Sequence, residues 1–249
     1  MKTTILASGS KGNSTFVEVD NHRFLIDLGV SCRYIEKKLK EINIEPKSIK
    51  NILITHTHND HICGLPSFYK KYQPTIYILP SMLKDLKLIL GDFKYEFFSE
   101  SNIIDETLIE IIKTSHDKEE SIGFLINNKL VYITDTGYIN KKYFNLIKNK
   151  EIYILESNHD VEMLLNGKYY YHLKQRILSD KGHLSNKVAS QYLSKLIGEQ
   201  TKYIILVHLS EENNTEERVL ETLLSHIDKN NVEKIIVAEQ YDRTELVEV

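Results

Sequence analysis

One eleven-residue stretch, Asn-Ile-Leu-Ile-Thr-His-Thr-His-Asn-Asp-His at positions 51–61, constrains this chain more than any other. The apolar run Ile52 to Ile54 reads as a buried strand. Three histidines and an aspartate, His56, His58, Asp60 and His61, follow within six residues. In an extended segment His56 and His58 point the same way, because side chains alternate with a period of two. Asp60 and His61 fall past the turn. If a helix starts there, one short loop presents two pairs of ligands to two neighbouring metal ions. The alternative is a polar turn with incidental histidines, but chance seldom gathers three imidazoles around one carboxylate.

The rest of the composition narrows the context. At 249 residues, with 41% hydrophobic and 27% charged residues, the chain suits one large domain, spanning 1–249, or two closely packed halves. Its apolar runs are strand-sized, so no membrane span is expected. The opening Met1-Lys2-Thr3-Thr4-Ile5-Leu6-Ala7 is too short for a secretion signal, which favours a cytoplasmic location. Cys32 and Cys63 form no Cys-x-x-Cys pattern, so neither a disulfide framework nor a thiolate zinc site is suggested, and Cys63 reads as a small buried residue. A net charge of −3 advertises no global nucleic-acid field. The pairs Lys37–Lys38, Lys70–Lys71 and Lys141–Lys142 read as solvated helix faces.

Along the chain, strands are expected at Thr3 to Ala7, Thr15 to Val19 and Arg23 to Asp27, with Ser31 capping a helix to about Ile42. Between the first two strands, residues 8–14 (Ser-Gly-Ser-Lys-Gly-Asn-Ser) read either as a plain turn or as backbone N–H groups converging on an anion, with Ser10 and Asn13 as substrate contacts. Asp27 is a candidate support for a ligand histidine. Helices are expected over 64–72, 81–90, 140–148, most of 160–179, 185–197 and 214–230, the last capped by Asn214 with Glu217. Further strands cover 75–79, 95–98, 108–113, 121–126, 130–134, 152–156, 203–207 and 234–238, with an Asn127-Asn128 hairpin turn. His159 and His172 read as surface residues.

The His-x-His-x-Asp-His segment after an apolar strand resembles the signature of the metallo-β-lactamase-fold superfamily. That resemblance implies an α/β fold, a four-layer αββα sandwich of mixed sheets, and a site completed by a His, an Asp and a last His at strand ends. His116, Asp135 and His208 stand at those places. Carried over residue by residue, one ion takes His56, His58 and His116, the other takes Asp60, His61 and His208, and Asp135 bridges them. The donors are nitrogen and oxygen only, which suits Zn²⁺ and admits Mn²⁺ or Fe²⁺. Such a pair implies hydrolysis, with the Asp60 and His56 ligand sets essential for turnover.

Other stretches bear on the substrate. Many antibiotic-hydrolysing members are secreted and carry Cys at the place of Asp135, so β-lactams are not expected. Leu155-Glu156-Ser157-Asn158-His159-Asp160 and Gly182-His183-Leu184-Ser185 resemble loops of the superfamily's phosphodiesterases, where a Glu and a His protonate the leaving oxygen; here these are Glu156 and His183. Structurally, Ser185 also reads as a helix cap. In His-Leu-Ser-Glu-Glu-Asn-Asn at 208–214, Ser210 and Asn213 are candidates to bond phosphate oxygens. Together these motifs resemble the YycJ/WalJ-type subfamily, which implies metal-dependent exonuclease action on DNA. Only 19 residues separate His116 from Asp135 and 73 separate Asp135 from His208, so neither gap holds a large extra domain. The alternative reading is a small-molecule hydrolase, a glyoxalase II-like thioesterase or a cyclic phosphodiesterase.

Overall fold

The computed structural model describes residues 1–118 and 120–249. In chain order the elements are β1 (Lys2–Ala7), β2 (Ser14–Val19), β3 (His22–Ile26), α1 (Cys32–Glu41), β4 (Asn51–Leu53), α2 (Asn59–Ile62), α3 (Leu65–Tyr72), β5 (Thr75–Ile78), α4 (Leu83–Leu90), β6 (Tyr95–Phe97) and β7 (Ser101–Ile104). There follow β8 (Thr107–Thr114), β9 (Ser121–Ile126), β10 (Leu130–Ile133), α5 (Phe144–Ile147), β11 (Ile152–Glu156), α6 (Val161–Asn166), α7 (Tyr171–Leu178), α8 (Asn186–Leu196), β12 (Tyr203–Val207), α9 (Glu216–Leu224), β13 (Lys234–Val237) and β14 (Val247–Glu248). Two compact units result: Met1–Leu108 with Ala238–Val249, and Ile109–Val237.

The first unit is built on a sheet of order β14-β1-β2-β3-β4-β5-β6. Pairing is antiparallel from β14 to β3 and parallel from β3 to β6. Short turns suffice for the antiparallel part. Each parallel step needs a crossover, and α1, α3 and α4 provide them. Ser31 caps α1 by accepting from Tyr34 N at 3.3 Å, as expected for a Ser before an apolar periodic run. Ile35 and Leu39 bury the inner stripe of that helix. Lys38 departs from the expected solvated face: it is buried, and its ammonium reaches Asp242 at 3.0 Å and Glu41 at 3.6 Å. An ion pair with the tail at Asp242 is invisible in the local pattern of α1. The same tail is tied by Thr244, whose N–H donates to Ile5 O and whose hydroxyl accepts from Ile5 N, each at 3.0 Å.

The second unit carries an antiparallel β8-β9-β10 segment continued by parallel β11, β12 and β13. Asn127 and Asn128 both take positive φ, 51° and 55°, as a two-residue hairpin turn requires, and Lys129 N closes it on Ile126 O at 3.0 Å. Val131, Tyr153, Leu155, Ile204 and Leu206 of the sheet pack with Leu193 of α8 and Val219 and Leu223 of α9. Burying each such aliphatic side chain contributes about 1.5–3 kcal/mol.

Several local expectations give way. Most of 160–179 is helical as expected, in two pieces, α6 and α7, whereas α9 spans only Glu216–Leu224 and not 214–230. Its cap is Thr215, accepting from Arg218 N at 3.1 Å; Asn214 instead donates to Ser157 O and Asn158 O at 2.9 and 3.1 Å, inside the fold. His159 is buried and Cys63 is exposed, the reverse of both expectations, whereas His172 is exposed. Among the described residues, no helix is long and apolar enough to cross a membrane.

Candidate metal centre

In the first unit the chain leaves β4 and turns at once into the histidine segment. His56, His61 and Asp27 are buried, while His58 and Asp60 remain partly open. His56 Nε2 and His58 Nδ1 stand 3.0 Å apart, and the rings of His56 and His61 are 4.1 Å apart between centroids. His61 Nε2 lies 3.5 Å from Asp60 Oδ2. Asp27, directly after β3, takes φ 58° and turns its carboxylate onto this cluster. Its Oδ2 is 2.7 Å from His61 Nδ1, Thr55 N donates to its Oδ1 at 2.9 Å and the Thr55 hydroxyl to its Oδ2 at 2.7 Å. Burial pushes the Asp27 carboxyl above its usual range, opposed by His61 and by the two bonds from Thr55.

Backbone contacts fix the turn that carries these side chains. Asn13 N donates to Asp60 O, Leu28 N to His61 O and Gly64 N to Leu28 O, all at 2.8 Å. A Cβ at Gly29 would stand 1.6 Å from Asp60 O, so only glycine permits this approach. Asn13 is buried, bonding Gly9 on both sides of its amide (Gly9 N to Oδ1 at 2.9 Å, Nδ2 to Gly9 O at 3.1 Å) and placing Nδ2 3.3 Å from Asp60 Oδ2. Ser10 is exposed in the same loop.

In the second unit the parallel register Ile133↔Leu155↔Leu206 brings the carboxyl ends of β10, β11 and β12 level. Asp135, Glu156 and His208 therefore share one sheet edge, the edge at which parallel sheets gather ligands. Asp135 and His208 both adopt left-handed backbone, φ 51° and 60°. Each such residue stores of order 1–3 kcal/mol of strain, a cost that concentrates at functional sites. Asp135 Oδ1 lies 3.5 Å from His208 Nε2, 3.6 Å from His183 Nδ1 and 3.8 Å from His116 Nε2. Donor atoms of Asp135, Glu156, His183 and His208 all fall within 4.8 Å of one another.

Glu156 organises this edge. Its Oε1 meets His183 Nδ1 at 2.7 Å and His208 Nδ1 at 3.0 Å, and its Oε2 accepts from Thr136 N and Leu184 N at 3.1 and 3.2 Å. Burial resists its ionisation, yet the charge and hydrogen bond of His183, with the bond from His208, hold the carboxyl down to about 2. His116 Nδ1 faces Gly182 O at 3.3 Å, and burial lowers this ring's pKa. Asn158 Nδ2 donates to His208 O at 2.8 Å, steadying the left-handed turn. Ser210 Oγ accepts from Asn213 N at 3.2 Å, so these two residues brace their own loop.

The donor chemistry of both clusters fits divalent cations. Carboxylate and carbonyl oxygens only accept, so the rings of His61, His116 and His208 must carry hydrogen on Nδ1. Each then offers an Nε2 lone pair, the arrangement typical of metal-bound histidine.

The sequence profile of the metallo-beta-lactamase superfamily matches residues 7–140. The chain belongs to that superfamily. Within it, the chain is 37% identical over 236 residues to the exodeoxyribonuclease WalJ of Streptococcus pneumoniae, covering 91% of this chain and 88% of that protein. The exodeoxyribonuclease YycJ of Bacillus anthracis is 36% identical over 222 residues, covering 86% and 84%. The chain is therefore a metallo-β-lactamase-fold protein of the WalJ/YycJ type. YhfI of Bacillus subtilis, a metallo-β-lactamase-fold protein of known structure, superposes with a TM-score of 0.75 at 15% identity, over 98% of both chains, which bears out the fold. Superfamily membership implies divalent metal ions, and the clusters supply histidine and aspartate donors for them.

Sequence reading did not find Thr55 or Asn158, whose roles depend on partners 28 and 50 residues away. It named Asp27 correctly as support for a histidine. It paired Glu156 with His183 but missed His208, because that contact crosses from β11 to the residue after β12.

Proposed function

We propose that this protein is an exonuclease that cleaves DNA phosphodiesters with two divalent ions. His56, His58 and His116 would hold one ion and Asp60, His61 and His208 the other, and Asp135 would add its carboxylate to the set. Zn²⁺ suits these nitrogen and oxygen donors, and Mn²⁺ or Fe²⁺ accept the same set. The reading is supported by the names of the two full-length relatives and carried by one observation, the 2.7 Å contact between Glu156 and His183.

When bound, the ions supply Lewis acidity toward the phosphate and activate water at neutral pH. The protein's own work is placement and proton transfer. Asp27 holds His61, and Glu156 holds His208, so that neither ring turns away from its ion. Asp60 presents its carboxylate from the N-terminal turn of α2. His183 keeps 18% of its side chain exposed while its Nδ1 is anchored on the buried Glu156. In the protonated ring, Nε2–H is the proton that passes to the leaving alkoxide, and Glu156 stabilises the cation before transfer. Ser10 and Ser210 are assigned to the substrate backbone, with Asn13 and Asn213 bracing the loops that carry them.

The test is to incubate metal-loaded protein with DNA labelled at either end, with RNA and with an acyl thioester. Progressive shortening of DNA from one end is expected. Hydrolysis of the thioester alone would establish the small-molecule reading instead.

A further inference from the structure

Strand β6 is the outermost strand of the first sheet, and its five-residue neighbourhood Phe93-Lys94-Tyr95-Glu96-Phe97 is nowhere buried. Its inner edge is used by β5: Ile76 N donates to Lys94 O at 3.0 Å and Phe98 N to Ile78 O at 2.9 Å. Backbone groups alternate along a strand, so Lys94, Glu96 and Phe98 face β5, while the N–H and C=O of Tyr95 and Phe97 face outward. Phe93, Tyr95 and Phe97 lie along one face as a ladder, with ring centroids 5.1 and 5.2 Å apart. Phe97 is 45% exposed, and Leu88 on the preceding helix is 79% exposed. Open strand edges usually carry charge that repels a second strand. The charges here have opposite signs two residues apart, and that pattern does not repel an antiparallel copy of itself.

We propose that β6 is a homodimer interface at which two copies pair antiparallel about a twofold axis through Tyr95. In that register Tyr95 meets Tyr95 of the second copy as a hydrogen-bonded pair, using the outward backbone groups. Phe93 meets Phe97, extending the aromatic ladder across the axis. Lys94 meets Glu96 twice, in the non-hydrogen-bonded positions where side chains approach most closely. A parallel pairing would instead set Lys94 against Lys94. The isologous arrangement closes on itself, because each copy's β6 edge is used up by the other and offers nothing to a third copy.

Sedimentation of the full chain should give twice the chain mass, and Glu96→Lys, an exposed change, should weaken association at least tenfold by setting lysines opposite one another. Combining Lys94→Glu with Glu96→Lys restores opposite charges and should restore the dimer. Tyr95→Cys, made in a Cys63→Ser background, should cross-link to itself under mild oxidation, because hydrogen-bonded antiparallel pairs place Cα atoms about 5.5 Å apart, within disulfide reach. A wild-type chain that stays monomeric at all concentrations, a Glu96→Lys dimer of unchanged affinity, or a Tyr95→Cys dimer that never cross-links would overturn the proposal.

Discussion

Asp27 Oδ2 meets His61 Nδ1 at 2.7 Å with both side chains fully buried. Thr55 donates two further hydrogen bonds to the same carboxyl group, from its N–H at 2.9 Å and its hydroxyl at 2.7 Å. The Asp27 contact fixes both the tautomer and the direction of His61. Asp27→Asn keeps an acceptor for Thr55 but weakens the hold on the ring. Metal affinity should fall about 10- to 100-fold with the far-ultraviolet circular dichroism unchanged. An unaltered affinity in a metal titration would remove Asp27 from this role.

Glu156 accepts four hydrogen bonds, two from imidazole nitrogens and two from backbone amides. Glu156→Gln must turn an NH₂ group toward one of those donor pairs. Leaving buried donors unsatisfied costs about 1–3 kcal/mol, so the urea midpoint should fall accordingly. Activity should fall further than stability explains, since His183 and His208 both lose their anchor.

His183→Ala separates proton transfer from metal binding. The rate on an unactivated DNA diester should drop about 10²- to 10⁴-fold with metal content retained. A nitrophenolate leaving group needs no proton, so a diester that releases one should lose much less. Equal losses on both substrates would count against His183 as the proton donor.

How far the sequence foretold this arrangement depends on the range of each contact. The strands around both clusters and the caps at Ser31 and Ser185 follow from period-two runs and local capping residues. The spacing within His56 to His61 is likewise local. Asn214 misled because its capping pattern is intact in sequence, yet three buried backbone and amide groups claim its side chain first. Lys38 and His159 misled for the same reason: both look like surface residues until Asp242, or the loop at Ser185 and Asn186, closes over them. Glu156 reaching His208 depends on the parallel register of β11 and β12, which no local pattern encodes.

His159 also carries a pH signature. Burial lowers its pKa to about 4, whereas an unfolded histidine titrates near 6.5. Between those values the unfolded chain binds the extra proton, so stability is retained above about pH 6.5 and declines as pH falls toward 4. From pH 7 to pH 5 the loss attributable to this ring is about 2 kcal/mol. Urea titrations at the two pH values should show that loss in the wild type and a correspondingly smaller one in His159→Gln. Identical pH dependence in the two proteins would show that His159 is not the group responsible.

The most direct test is to strip the protein with a chelator, return Zn²⁺ or Mn²⁺ stepwise, and follow both bound metal and the shortening of end-labelled DNA. The account predicts no cleavage by the stripped protein and activity that saturates as two ions bind per chain. Full cleavage by the metal-free protein, or saturation with no ion bound, would contradict it.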